Sequence, residues 1–277
     1  MVDRVSILDF AQTSLLQTTQ RLNETRNDSA NNLATGRRVN QVNDDPVDFF
    51  RAKALSDRVA DLGSVKGSIE LGQSQLEATT AGLDAVEQFG RQLIGIANAA
   101  KTAETQVERL ALSQQFNEIR NQIDNLVSDT TFLGSNLLEG SLASFSISVG
   151  DVSQAALDLS SRDTSVSTLG IGEAATTYND FATLTDISNA IADVRGAISI
   201  VRQSQADFAS DISLLNVREN FTDDLRATLQ SGVGKLVNAD LNQEAAVQLS
   251  AQVRSDLSFQ GEKILAQGDS LLLGLFK

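Results

Sequence analysis

Apolar residues return every seven positions through a stretch of more than fifty residues. Leu55, Leu62, Ile69, Leu76, Leu83 and Ala97 keep one register, interrupted at Gly90, and Val65, Val86 and Leu93 fill the complementary positions. On a helix of 3.6 residues per turn such a repeat gathers its apolar groups into one narrow seam, which needs another helix to cover it. The chain holds a single Pro in 277 residues, so nothing in this stretch forces a stop. The spacing predicts a helix from 46 to about 100, or about 55 residues at ~1.5 Å each and roughly 80 Å of rod. Its start is marked by Asp45, which can cap the free amides, and by Pro46, which suits the first helical position. Asp48 adds a favourable charge in the first turn.

The same reading predicts four more helices. Over 3–34, Leu8, Leu15 and Leu22 recur seven apart, with Leu33 near the same face and Gly36 as the C-terminal stop. Over 104–128, Leu112, Phe116, Ile119, Ile123 and Leu126 alternate four and three apart. A fourth helix starts at 184 with Ile187, Ile191, Val194, Ile198 and Val201 in its stripe. It is expected to reach about 230, where Ser231-Gly232-Val233-Gly234 reads as a break. The last helix is capped by Asp240 and carries Leu249, Val253, Leu257, Leu265 and Leu272. Between the third and fourth helices the period falls to two. Phe145, Ile147 and Val149 alternate with serines, and Leu157 and Leu159 follow after Gly150-Asp151. This predicts a small β-hairpin at about 142–160, placed at the tip of the rod, with 160–183 as loop. The fold class is mainly α: a long coiled-coil-like helical rod with a small β-hairpin and paired N- and C-terminal helices.

Composition narrows the chemistry. With no His and no Cys, Ser-His-Asp triads, Cys nucleophiles and the usual zinc sites are excluded. Asp44, Asp45 and Asp48 lack the Gly and Glu of a calcium-binding EF-hand loop, and the capping role accounts for them. No enzyme activity, cofactor or metal is expected. Against 22 basic residues stand 36 acidic ones, a net charge of −14, which argues against nucleic acid or an anionic membrane as partner. Residues 1–45 and 231–277 each carry −1, leaving −12 for 46–230. Near-neutral ends suit packing together, and a charged middle suits water. The apolar stripes of the two end helices are too thin to order them alone, so contacts with other chains are expected. Asp3 and Asp9 interrupt the apolar run that a cleaved secretory signal would need.

Several segments then resemble one family. Arg21-Leu22-Asn23, Leu33-Ala34-Thr35-Gly36-Arg37-Arg38-Val39-Asn40 and Asn43-Asp44-Asp45-Pro46 resemble the end of the first helix and the start of the second in bacterial flagellins. Phe116-Asn117-Glu118-Ile119, Ile123-Asp124 and Thr131-Phe132-Leu133-Gly134-Ser135-Asn136-Leu137-Leu138 resemble the third helix and the turn after it. Leu169-Gly170-Ile171 and Asn238-Ala239-Asp240-Leu241-Asn242-Gln243-Glu244-Ala245 complete the series. The resemblance implies a short flagellin without large outer domains, self-assembling into a secreted, extracellular filament for motility. It implies an inner domain of 1–45 with 231–277, and a helical outer domain of 46–230. Leu8, Leu15, Leu22, Leu33, Leu249, Val253, Leu257, Leu265 and Leu272 would form the assembly interface. The export apparatus, an export chaperone and cap or junction proteins are implied as partners. Two alternatives share the helical pattern: a hook–filament junction protein of the same export system, and a helical secretion chaperone or adaptor.

Overall fold

The computed structural model describes residues 2–140, 144–150 and 155–274. Its elements run α1 (Val2–Thr35), α2 (Pro46–Thr102), α3 (Gln106–Asp129), β1 (Ser144–Ser148), β2 (Ala156–Ser160), α4 (Leu184–Val237) and α5 (Leu241–Gly274). They cluster into two compact units. One comprises 1–57 and 228–277, the other 58–227, and both α2 and α4 contribute to each.

In the 58–227 unit the heptad seam is buried as its spacing predicts. Leu62, Val65, Ile69, Leu76, Leu83, Val86, Leu93 and Ala97 are all buried. So are Ile187, Ile191, Val194, Ile198, Val201, Phe208 and Leu215 of the facing helix. α2 and α4 run antiparallel. Lys66 donates to Asp223 at 2.5 Å, Gln73 to Asn216 at 3.0 Å and Gln205 to Asp84 at 2.7 Å. Arg202 donates twice to Glu87 Oε1, at 2.7 and 3.0 Å, and Arg91 adds a third bond at 2.9 Å. The hydrogen bond from Arg202 holds the Glu87 carboxyl below its ordinary pKa. The Lys66 ammonium lowers Asp223 in the same way, and the bond to Asp223 raises Lys66.

The hairpin pairs Phe145 with Leu159 and Ile147 with Leu157 in an antiparallel register. The turn residues 151–154, and 142–143 at the predicted start, lie outside the described residues. Its place differs from expectation. Ile147 is buried beside Gly72, in the middle of α2, so the hairpin lies along the flank of the helices and not at their tip. Gly72 occupies a seam position, and the missing side chain is the space into which Ile147 fits. A Cβ at Gly72 would stand 2.1 Å from Ile147 Cδ1, 3.0 Å from Cγ1 and 3.4 Å from Leu215 Cδ1. Gly90, the interruption in the repeat, receives Ile198 in the same manner, with Cγ1 2.9 Å from the site of a Cβ. Gly72→Ala should therefore lower stability by about 1–2 kcal/mol, overpacking exceeding the gain in helix propensity. Ile147→Ala combined with it should recover part of the loss. Chemical denaturation of the two variants and the double checks this coupling, and additive losses would count against it.

Segment 161–183 is also more than loop. It buries Val166, Leu169, Ile171, Ala174, Tyr178 and Phe181 in the same core. One polar stripe on α3 holds it. Ser113 donates to Asp180 at 3.2 Å and Arg120 Nε to the Ile171 carbonyl at 3.0 Å. Asn117 accepts from the Ala174 amide and Asp124 from the Val166 amide, each at 2.8 Å. The segment closes in a turn, Asn179–Phe181, with all three residues at positive φ.

In the other unit a second correction appears. α4 does not break at Ser231–Gly234 but continues to Val237. Val233 and Leu236 pack against a small core of Val39, Ala52 and Val237, and a Cβ at Gly232 would sit 3.4 Å from Leu55 Cδ1. That packing outweighs the helix-breaking tendency of two glycines.

Candidate assembly interface

The 1–57 and 228–277 unit is built round a backbone stitch. Gly36, at φ 70°, ends α1 with its amide on Asn32 O at 2.8 Å. The chain then passes beside the α4–α5 junction. Arg38 N donates to Val237 O at 2.7 Å, and Ala239 N to Gly36 O at 3.0 Å. The Arg38 guanidinium donates to Leu236 O at 2.9 Å and to Asp48 at 2.7 Å. Asp44 Oδ2 accepts the amides of Asn40 and Gln41, at 2.8 and 2.9 Å. Asp45 Oδ1 accepts the amide of Asp48 at 3.0 Å, capping α2 ahead of Pro46. The adjacent aspartates thus serve different turns and share no ligand geometry. Asp240 caps α5 through the amides of Asn242 and Gln243, at 3.0 and 3.2 Å.

α1 packs on α5, and the residues at their seam are small. Thr19, Ser29, Ala251 and Ser255 are buried, while Leu15, Leu22 and Leu33 are half-buried. Asn32 Nδ2 donates to Glu244 Oε1 across the pair at 3.0 Å. The hydroxyls of Thr19 and Ser255 have no hydrogen-bond partner among the described residues. A notch of about 400 Å³ remains beside Leu22, bounded by Val247, Ala251 and Arg254.

The larger apolar side chains of α5 point elsewhere. At about 100° per residue, Leu249, Val253 and Leu257 lie roughly 160–240° round the helix from Ala251, on the face opposite α1. They are 67%, 50% and 61% exposed. Leu241, Phe259 and Ile264 of α5 and Phe10 and Leu16 of α1 are exposed as well, as are Val42, Val47 and Phe50 near the connector. The side chains of Leu8, Leu265 and Leu272 lie outside the described residues. The structure therefore sets Leu15, Leu22 and Leu33 towards the helix pair and leaves Leu249, Val253 and Leu257 uncovered. Thr19, Ser29, Ala251 and Ser255 were the seam residues that apolar periodicity passed over. Ala251 and Ser255, four apart and small, were the available signal. Among the described residues no helix is long and apolar enough to cross a membrane, so the uncovered face is not part of a membrane-spanning helix.

A chain with this face uncovered has relatives that share its whole length. The family model for the bacterial flagellin N-terminal helical region matches residues 9–143. Flagellin FljM of Caulobacter vibrioides is 25% identical over 98% of this chain and 93% of its own length. The chain belongs to the flagellin family. A flagellin of Brucella melitensis is 24% identical, with 95% of each protein covered. A Vibrio parahaemolyticus structure, provisionally assigned as a flagellar hook-associated protein, shares the fold at a TM-score of 0.61. It is 11% identical and covers 70% of this chain and all of its own. As a flagellin the chain is a member of a family of structural proteins, and the flagellins whose length it nearly matches share its compact form.

Proposed function

We propose that this chain is the structural subunit of an extracellular bacterial flagellar filament, and that the exposed apolar face of α5 is part of its assembly interface. The observation that carries the reading is the reversed polarity of the terminal pair. Small residues face α1 while Leu249, Val253 and Leu257 face outward. A soluble lone chain gains nothing from that arrangement, whereas a chain surrounded by copies buries the face at roughly 2 kcal/mol per leucine. An interface that differs on its two sides does not close, and its product is a filament. In this reading 1–45 with 231–277 form the inner domain and 46–230 the outer one. Leu8, Leu265 and Leu272 join the interface with Leu15, Leu22 and Leu33. The chain catalyses nothing, and an export apparatus with its chaperone delivers it to the growing tip. Low charge at the ends, −1 in each terminal segment, permits dense packing, and −12 in the middle keeps the exterior solvated.

The test is assembly of purified subunit seeded with sheared filaments and viewed by negative-stain microscopy. Filaments that elongate with added subunit are the expected result. A chain that remains monomeric with seeds present overturns the proposal.

A further inference from the structure

The turn after α3 carries a side chain that neither backbone nor solvent favours. Phe132 and Ser135 exchange both backbone hydrogen bonds, each 2.9 Å long. The two residues between them, Leu133 and Gly134, have φ of 50° and 79°. Positive φ at both central positions is the type I′ pattern, for which Asn-Gly is the preferred pair because Asn tolerates the left-handed region. A bulky residue there is an outlier. Leu133 is also 76% exposed, so no burial within its own chain offsets the strain. The turn is firmly mounted. Asn136 Nδ2 donates to Val127 O at 2.6 Å, Asn136 Oδ1 accepts from the Leu138 amide at 2.8 Å, and Leu137 and Leu138 are fully buried. A strained, exposed, rigidly held apolar side chain has the form of a preorganised anchor.

We infer that Leu133 is a knob that inserts into a second copy of this chain, and that its seat is the apolar stripe Leu214, Val217 and Phe221 on α4. The inference rests on the filament reading. The stripe is exposed, at spacings of three and four along one helix face. Exposed Arg218 lies within it, and exposed Asp129 lies just before the knob, so the two patches are complementary in charge as well as in shape. They are different patches of the same 58–227 unit. Joining one to the other therefore makes a head-to-tail contact, which propagates instead of closing.

The chain has no Cys, so introduced thiols report without background. Filaments of Leu133→Cys, Val217→Cys double variant should give a ladder of covalent multimers after mild oxidation, and neither single variant should. Leu133→Asn relieves the turn and should raise the melting midpoint of the monomer by about 2–4 °C. The same substitution should raise the critical concentration for assembly at least about tenfold. Double-variant filaments without a ladder overturn the inference. So do dimers from Leu133→Cys alone, which would mean that knobs meet each other, or Leu133→Asn assembling at the wild-type concentration. If unsubstituted chain fails to elongate seeds, the filament reading itself falls. Normal wild-type growth with any of the three adverse results removes only the Leu133 contact.

Discussion

Chains carrying Leu257→Asp should fold as the parent does and fail to add to filament seeds. Leu257 is 61% exposed in the single chain, so a carboxylate there meets water and costs little in the isolated subunit. Under the proposed function the same position is buried among copies. There the substitution loses about 2 kcal/mol of apolar burial and places an unpaired charge in a dry contact, at a cost of several kcal/mol more. The penalty recurs at every subunit, so the critical concentration should rise at least about a hundredfold, equivalent to about 2.7 kcal/mol per addition. Sedimentation after seeding gives the critical concentration, and circular dichroism of the monomer gives the control. Leu257→Ala should fall between parent and Asp variant, since it removes area without adding charge. Normal filaments from Leu257→Asp would mean that the outward face of α5 is not buried on assembly. A variant that is already unfolded as monomer would place Leu257 in the chain's own core, contrary to its exposure.

The parts of this molecule that could be read in advance were those where one residue type recurs at a fixed spacing against a continuous partner. The seam from Leu62 to Ala97 and its counterpart from Ile187 to Leu215 are of that kind, as are the Asp45 and Asp240 caps. What could not be read depended on the partner's shape. Gly72 and Gly90 look like defects in a repeat until Ile147 and Ile198 are seen beside them. Gly232 and Gly234 look like a stop, yet Val233 and Leu236 carry the helix through to Val237 by packing on Val39 and Ala52. In α5 two faces compete. The leucines at 249 and 257 dominate any apolar count, but α1 takes the face of Ala251 and Ser255, because small side chains allow two helices to approach closely. Segment 161–183 was the least legible. Its apolar residues follow no helical or strand period, and the stripe of Ser113, Asn117, Arg120 and Asp124 that holds it reads as an ordinary solvated helix face. Hydrogen bonds from side chains to irregular backbone leave no periodic trace.

That segment yields the second large effect. Phe116 of α3 is fully buried and meets two of its rings edge-on: Tyr178 at 5.9 Å and 86°, and Phe181 at 5.4 Å and 82°. Tyr178 and Phe181 stack at 6.4 Å. Phe116→Ala removes the central ring of this trio and should destabilise the 58–227 unit by about 3–5 kcal/mol, lowering its melting midpoint by roughly 6–20 °C. A second readout locates the damage. Tyr178 is the single Tyr in a chain without Trp, so its phenol can be followed by near-ultraviolet absorbance. Burial, with the nearby Asp193 carboxylate, raises that phenol from 10.0 to about 12. Its hydroxyl donates to Asp193 at 2.9 Å and accepts from the Gly172 amide at 3.0 Å. Because the folded pKa is raised, the resulting stabilisation is complete below pH 10 and is lost as pH climbs towards 12. Opening the pocket with Phe116→Ala should bring the titration back towards the ordinary value while the α2–α4 seam keeps the far-ultraviolet helical signal. A variant that melts early yet retains the raised phenol would place the loss elsewhere in the core. One that keeps the parent's midpoint would mean that α3 does not depend on the 161–183 segment for its packing.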